Sequence, residues 1–171
     1  YFFVGNHDYW MRDYFEKELG IKVFKKPEAF VFNSKSFFIG HGDGLGPGDK
    51  GYKRMKFVLS NPFFIWMFKL IHPDIGISLG KYFSQKNKLI SGEKDLSFKG
   101  EENEWLIRYC KRILDKEHID YFIFGHRHLP ITHSLKNKSK YINLGDWISH
   151  YTYGVFDGEN FNLRSFNPEN A

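Results

Sequence analysis

Residues 121–128 read Y-F-I-F-G-H-R-H. Four apolar residues run into a glycine, and two histidines follow with one residue between them. A run this short and this apolar has the pattern of a strand buried on both faces. The glycine lets the backbone turn sharply there and leaves room for a ligand. The same order occurs twice earlier. Residues 1–6 read Y-F-F-V-G-N and continue into His7 and Asp8, and residues 36–43 read S-F-F-I-G-H-G-D. In an open α/β sheet, ligands bind beyond the carboxyl ends of the strands. Three such ends on one edge would bring Asn6, His41, His126 and His128 together.

The rest of the chain is organised around these strands. Residues 1–4 read as a buried strand, and Asp8 as the N-cap of a helix reaching about Leu19, with Gly20 as its stop. A short strand is expected over 21–24. A hairpin follows over 28–33 and 36–39, joined at Ser34-Lys35. Residues 41–51, H-G-D-G-L-G-P-G-D-K-G, form a loop. Residues 52–88 read as two or three helices broken at Asn61-Pro62 and His72-Pro73. A polar linker over 89–100 leads to an amphipathic helix over 101–117. Further strands are expected at 141–143 and in a hairpin of 151–156 and 161–166 across Asp157-Gly158. Strands alternate with helices early, and hairpins dominate late. The fold class is therefore α/β: a mixed sandwich with parallel strands at the site and antiparallel strands outside.

At 171 residues and 42% hydrophobic composition the chain can bury a real core, which excludes a disordered segment. The net charge of +5 fits attraction to phosphate, nucleotide or anionic lipid, without choosing among them. The one cysteine, Cys110, excludes an internal disulfide framework and fits a reducing compartment. It shares a helical stripe with Leu106, Tyr109 and Ile113, which reads as core. The chain opens on Tyr1, inside an expected strand, so an earlier segment is expected to precede it.

Histidine offers a neutral nitrogen and asparagine a neutral oxygen, and borderline divalent metals accept both. Two metals about 3.5–4 Å apart can clamp a phosphate and activate a water between them. Such a pair needs bridging carboxylates. Asp8 and Asp43 each follow a better ligand and read as groups that orient a histidine ring. The 171 residues are thus short of carboxylate ligands. His72 and His118 read as helix-end residues, and His133 and His150 as structural or surface groups. Asp146 follows another strand-glycine pattern and could reach the site edge. Arg127 could meet phosphate or simply face outward.

G-N-H-D at 5–8, G-H-G-D at 40–43 and G-H-R-H at 125–128 together resemble the calcineurin-like metallophosphoesterases. That family runs D-x-H, G-D, G-N-H-D/E, G-H, then G-H-x-H. The last three occur here in order, and the first two are expected upstream of Tyr1. The resemblance implies an α/β/β/α sandwich, here without its N-terminal strands, and two divalent metal ions, manganese first with iron or zinc as alternatives. It implies that Asn6, His41 and His126 bind one metal. His128 would bind the other with the D-x-H pair, and the G-D aspartate would bridge them. His7 would act on phosphate as a general acid or electrostatic stabiliser. A molecule of these residues alone is expected to be inactive.

A narrower resemblance runs through H-G-D-x-L-x-x-x-D-x-G-Y at 41–52 and the basic, aromatic helical insert after it. It is similar to a subfamily that cleaves the diphosphate of a UDP-sugar carrying two acyl chains, in lipid A synthesis, to UMP and a diacylated sugar 1-phosphate. The resemblance makes Asp49 and Tyr52 substrate contacts. It implies a cytoplasmic enzyme resting on the inner face of the cytoplasmic membrane, with no nucleic-acid partner. The best-known members carry Arg where this chain has His7, the residue of the wider superfamily. Residues 63–71, F-F-I-W-M-F-K-L-I, are far short of the ~20 apolar residues that span a bilayer. Lys53, Arg54, Lys56, Lys69, Lys81, Lys86 and Lys88 surround them, as in an interfacial element or a lid over 52–88. Two rivals remain: a generic phosphodiesterase or nucleotide pyrophosphatase with the insert as a packing cap, and a non-catalytic binding module.

Overall fold

The apolar run at 121–124 becomes the central strand of the sheet. The computed structural model describes residues 1–47, 50–91, 97–98 and 100–167, with the backbone alone over 83–91. In chain order its elements are β1 (Phe2–Phe3), α1 (Tyr14–Lys17), β2 (Val23–Phe24), β3 (Glu28–Phe32), β4 (Lys35–Ile39), α2 (Lys50–Ser60), α3 (Pro62–Phe68) and α4 (Pro73–Ser91). There follow α5 (Trp105–Leu114), β5 (Tyr121–Phe124), β6 (Pro130–Ser134), β7 (Lys140–Leu144), β8 (Thr152–Phe156) and β9 (Phe161–Ser165).

Five strands form one sheet in the order β3-β4-β5-β7-β6. β4, β5 and β7 are parallel, while β3 and β6 pair antiparallel at the edges. This is the mixed α/β arrangement expected, with the parallel strands in the middle. All four residues of β5 are buried because both sheet faces are covered. On one face Phe122, Phe124 and Tyr141 meet Leu106, Ile107 and Cys110 of α5. Cys110 is fully buried, and burial pushes its thiol pKa up, so it stays a protonated core residue. On the other face Phe37, Tyr121, Ile123 and Ile142 meet Phe156, Phe161 and Leu163 of the β8–β9 hairpin. β1 and β2 form a separate parallel pair.

Several elements differ from the sequence expectation. The helix expected from Asp8 is only α1, because turns occupy the preceding residues. The Asp8 carboxylate accepts the Gly5 N–H at 2.9 Å, and Arg12 takes a positive φ of 56°. The strand at 1–4 is limited to Phe2–Phe3 and is half-buried, since β1 pairs only with β2 among the described residues. The first hairpin turns at Asn33-Ser34, one residue early. Both residues have positive φ, 46° and 63°, as the two-residue turn that matches strand twist requires. α5 is shorter than 101–117, with Glu104 as N-cap and Asp115 as C-cap. β6 was not expected: Pro130 opens it and Thr132, His133 and Ser134 follow its one buried residue, Ile131, which suits an edge strand. The proline breaks hold. Asn61 Oδ1 caps α3 by accepting the Phe63 N–H at 2.9 Å, with Pro62 in the first turn.

Asp120 locks the entry of β5 to that of β4. Its Oδ2 accepts the Ser36 N–H at 2.8 Å and the Ser36 hydroxyl at 2.9 Å. Burial opposes the charge, but the bonds from Ser36 and His118 and the Lys35 ammonium outweigh it and hold the carboxyl below its ordinary pKa. A carboxyl with a depressed folded pKa stabilises above its unfolded value and loses that contribution as pH falls through the folded one. Asp120→Ala is therefore expected to lower unfolding stability by about 1–3 kcal/mol at neutral pH. The difference from wild type should shrink below about pH 3.9. Denaturant titrations at neutral and acidic pH measure it, and a pH-independent difference would show that the carboxylate charge is not the cause.

Candidate functional site

The parallel strands β4 and β5 deliver two of the expected residues side by side. The His126 and Gly125 N–H groups both donate to the His41 carbonyl, at 2.9 and 3.1 Å. This fastens the two strand ends, and the imidazole rings of His41 and His126 lie 5.1 Å apart between centroids. The turn after β1 closes on the same edge. A Cβ placed on Gly5 would lie 2.8 Å from His41 Cδ2 and Nε2, so only glycine lets this backbone reach the ring. Asn6 follows directly and is half-buried, while His7 beside it is exposed. His128 is exposed on the turn beyond β5, with a positive φ of 52°.

Behind His41 stands Asp43, buried at 5% exposure. Its Oδ1 lies 2.9 Å from His41 Nδ1. Its Oδ2 accepts from the Tyr9 hydroxyl at 2.6 Å, the Tyr52 hydroxyl at 3.1 Å and the Lys56 ammonium at 2.6 Å. Burial alone would raise the carboxyl pKa. The bonds from His41, Lys56 and Tyr9 and the Lys56 charge overcome it, and Asp43 sits far below the usual carboxylate range. Burial and the Asp43 charge push the Tyr9 phenol up, so it remains a donor. An ionised Asp43 takes the proton-bearing Nδ1 of His41 and leaves Nε2 with the lone pair. That is the form a metal ligand needs, oriented by a carboxylate.

The donor chemistry of His41, His126 and the Asn6 amide therefore fits a borderline divalent cation on this edge. Among the described residues no three His, Cys, Asp or Glu side chains converge as a metal-holding group. Tyr52 joins the cluster, its ring 5.9 Å from that of His126. Asp49 lies outside the described residues. A small cavity beside His41 has Lys25, Lys26 and the Lys56–Asp43 ion pair in its wall, a lining of net positive charge.

Tyr9 and Lys56 were not singled out from the sequence as site residues. Tyr9 directly follows G-N-H-D, and Lys56 lies four residues after Tyr52, on the same face of α2. Arg127 does not face outward: it is largely buried and binds the buried Glu104 at 3.1 Å. Asp146 closes its own turn by accepting the N–H groups of Ile148, Ser149 and His150. His72 accepts the Asp74 N–H at a helix start, and His133 packs on the ring of Phe98.

The helices after the site bury little of themselves. No residue of α2 or α3 is buried. Phe57, Phe63, Trp66, Leu70, Ile75 and Ile77 are each more than half exposed. The segment is anchored by Trp10, whose indole N–H donates to the Leu59 carbonyl at 2.7 Å and whose ring lies 4.8 Å from Phe68. Among the described residues no helix is long and apolar enough to cross a membrane.

No family model matches the chain. It is similar to a UDP-2,3-diacylglucosamine hydrolase of Porphyromonas gingivalis, 34% identical over 96% of this chain and 68% of that protein. It is also similar to proteins of the same name from a Shewanella species, 25% identical over 99% of this chain and 69% of the relative, and from Wigglesworthia glossinidia brevipalpis, 28% identical over 86% and 58%.

Proposed function

The chain belongs to the UDP-2,3-diacylglucosamine hydrolase family, and on that premise we propose that it hydrolyses the diphosphate of UDP-2,3-diacylglucosamine to UMP and diacylglucosamine 1-phosphate. One observation in the structure supports this substrate above others. α2 places Tyr52 and Lys56 on Asp43 behind His41, and from the same helix onward the chain presents exposed apolar side chains. A substrate that joins a diphosphate to acyl chains needs both kinds of surface close together.

In this reading the chain forms the later part of a calcineurin-like α/β/β/α sandwich, with 52–88 as a helical lid. Asn6, His41 and His126 would hold one divalent cation and His128 part of a second, manganese being suited to these donors, as are iron and zinc. Bound ions of this kind neutralise phosphate charge and make water a better nucleophile near neutral pH. Asp43 keeps His41 in its ligand tautomer. His7 donates a proton to, or stabilises charge on, the departing oxygen. Tyr52 and Asp49 contact the substrate. The apolar side chains of the insert, with Lys53, Arg54, Lys69 and Lys81 around them, rest at the inner surface of the cytoplasmic membrane and receive the acyl chains.

Metal removal tests the reading. Exhaustive chelation is expected to stop UMP release from the diacylated UDP-sugar, and added Mn²⁺ to restore it. Undiminished release after complete chelation would refute the metal-dependent reading.

A further inference from the structure

Between the two histidines of G-H-R-H, Arg127 turns its side chain into the protein. It is 12% exposed, and its Nη2 lies 3.1 Å from Glu104 Oε1 at 4% exposure. The same nitrogen donates to the Ser97 carbonyl at 3.1 Å. Glu104 is the N-cap residue of α5 but makes no side-chain capping bond; its carboxylate serves Arg127 instead. α5 is firmly seated, with Leu106, Ile107, Cys110 and Leu114 buried in the core. The start of this helix also touches the other loop. A Cβ on Gly42 would lie 3.1 Å from Leu106 Cδ1 and 3.3 Å from His126 Cβ, and Gly46 packs on Trp105.

We infer that the buried Glu104–Arg127 pair is a positioning device for the metal-holding edge, with Arg127 and Glu104 as positioning residues that act through His126 and His128. The inference rests on the proposed metal-holding role of those histidines. The physical case is one of location. A buried ion pair is no strong source of stability, since apolar replacements of similar volume are often as stable. Its value is geometric. A guanidinium fixed to a carboxylate on a rigid helix sets the backbone on either side of Arg127, where a ligand loop would otherwise be free to shift. Lysine can supply the charge, but it lacks the rigid planar group that holds Nη2 between the Glu104 carboxylate and the Ser97 carbonyl.

The test measures Mn²⁺ affinity in the full-length protein by electron paramagnetic resonance, with a metal-free melt as control. Outer groups that orient metal ligands are typically worth about 10–100-fold in affinity. Arg127→Met and Glu104→Gln are each expected to weaken Mn²⁺ binding by that factor, and Arg127→Lys by less. The double variant R127M/E104Q removes the pair without stranding a charge. It should recover the melting temperature and keep the weakened affinity. If the single variants do not fold, the double variant and Arg127→Lys carry the measurement. Wild-type affinity in a folded double variant would overturn the inference while leaving the proposed function intact. His126→Ala separates the two ideas: Mn²⁺ binding unaffected by it, or no Mn²⁺ binding by the wild type, would overturn both.

Discussion

His7→Ala lowers turnover of the diacylated UDP-sugar by about 10²–10⁴-fold and leaves the bound metal unchanged. The expectation follows from where His7 stands. Gly5 is pressed against the His41 ring, Asp8 holds the turn by accepting the Gly5 N–H, and His7 lies exposed between them. It is beside the proposed metal edge without being held by it. An imidazole there can donate a proton to the departing oxygen or stabilise charge on it. His126→Ala should behave differently, losing metal and activity together, because its ring is paired with that of His41. Turnover and metal content measured on both variants decide the matter. Loss of metal from His7→Ala would make it a ligand rather than a proton donor.

The second large effect belongs to the helical segment. Phe63 and Trp66 are 60% and 55% exposed, so polar replacements there remove apolar surface without hollowing a core. Burying one large apolar side chain is worth about 1.5–3 kcal/mol. Replacing both with serine is therefore expected to cut kcat/KM for the diacylated substrate by about 100-fold or more. A small chromogenic phosphodiester has no acyl chain and should be hydrolysed nearly as before. Parallel losses on both substrates with a lower melting temperature would favour a packing cap and a generic phosphodiesterase.

How much of this was legible in the sequence varied with the physics behind each element. Strands buried on both faces must be apolar throughout, so β5 appeared at its full length. The proline breaks of the insert and the Asp157-Gly158 hairpin turn also appeared, because their signals are local. Asp8 misled, since a carboxylate that accepts a nearby N–H serves a turn as well as a helix N-cap. β6 stayed hidden because an edge strand with a leading proline lacks a continuous apolar run. At the site, the strand-glycine-ligand pattern found His41 and His126. Asp43 was legible as well, as a carboxylate two residues from His41 that orients its ring. The groups beyond it were not visible, because they meet across long stretches of chain. Tyr9 reaches Asp43 over 34 residues, and Arg127 reaches Glu104 over 23. Periodicity and short motifs carry no information about such pairs.

Hydrolysis of a diacylated UDP-sugar at the His41–His126 edge can be followed by phosphorus NMR of the full-length protein with UDP-2,3-diacylglucosamine and Mn²⁺. The diphosphate signals should disappear and two phosphomonoester signals, UMP and the sugar 1-phosphate, should replace them, with no change in a parallel sample of His126→Ala. An intact diphosphate with the wild type, or equal cleavage by His126→Ala, would contradict it.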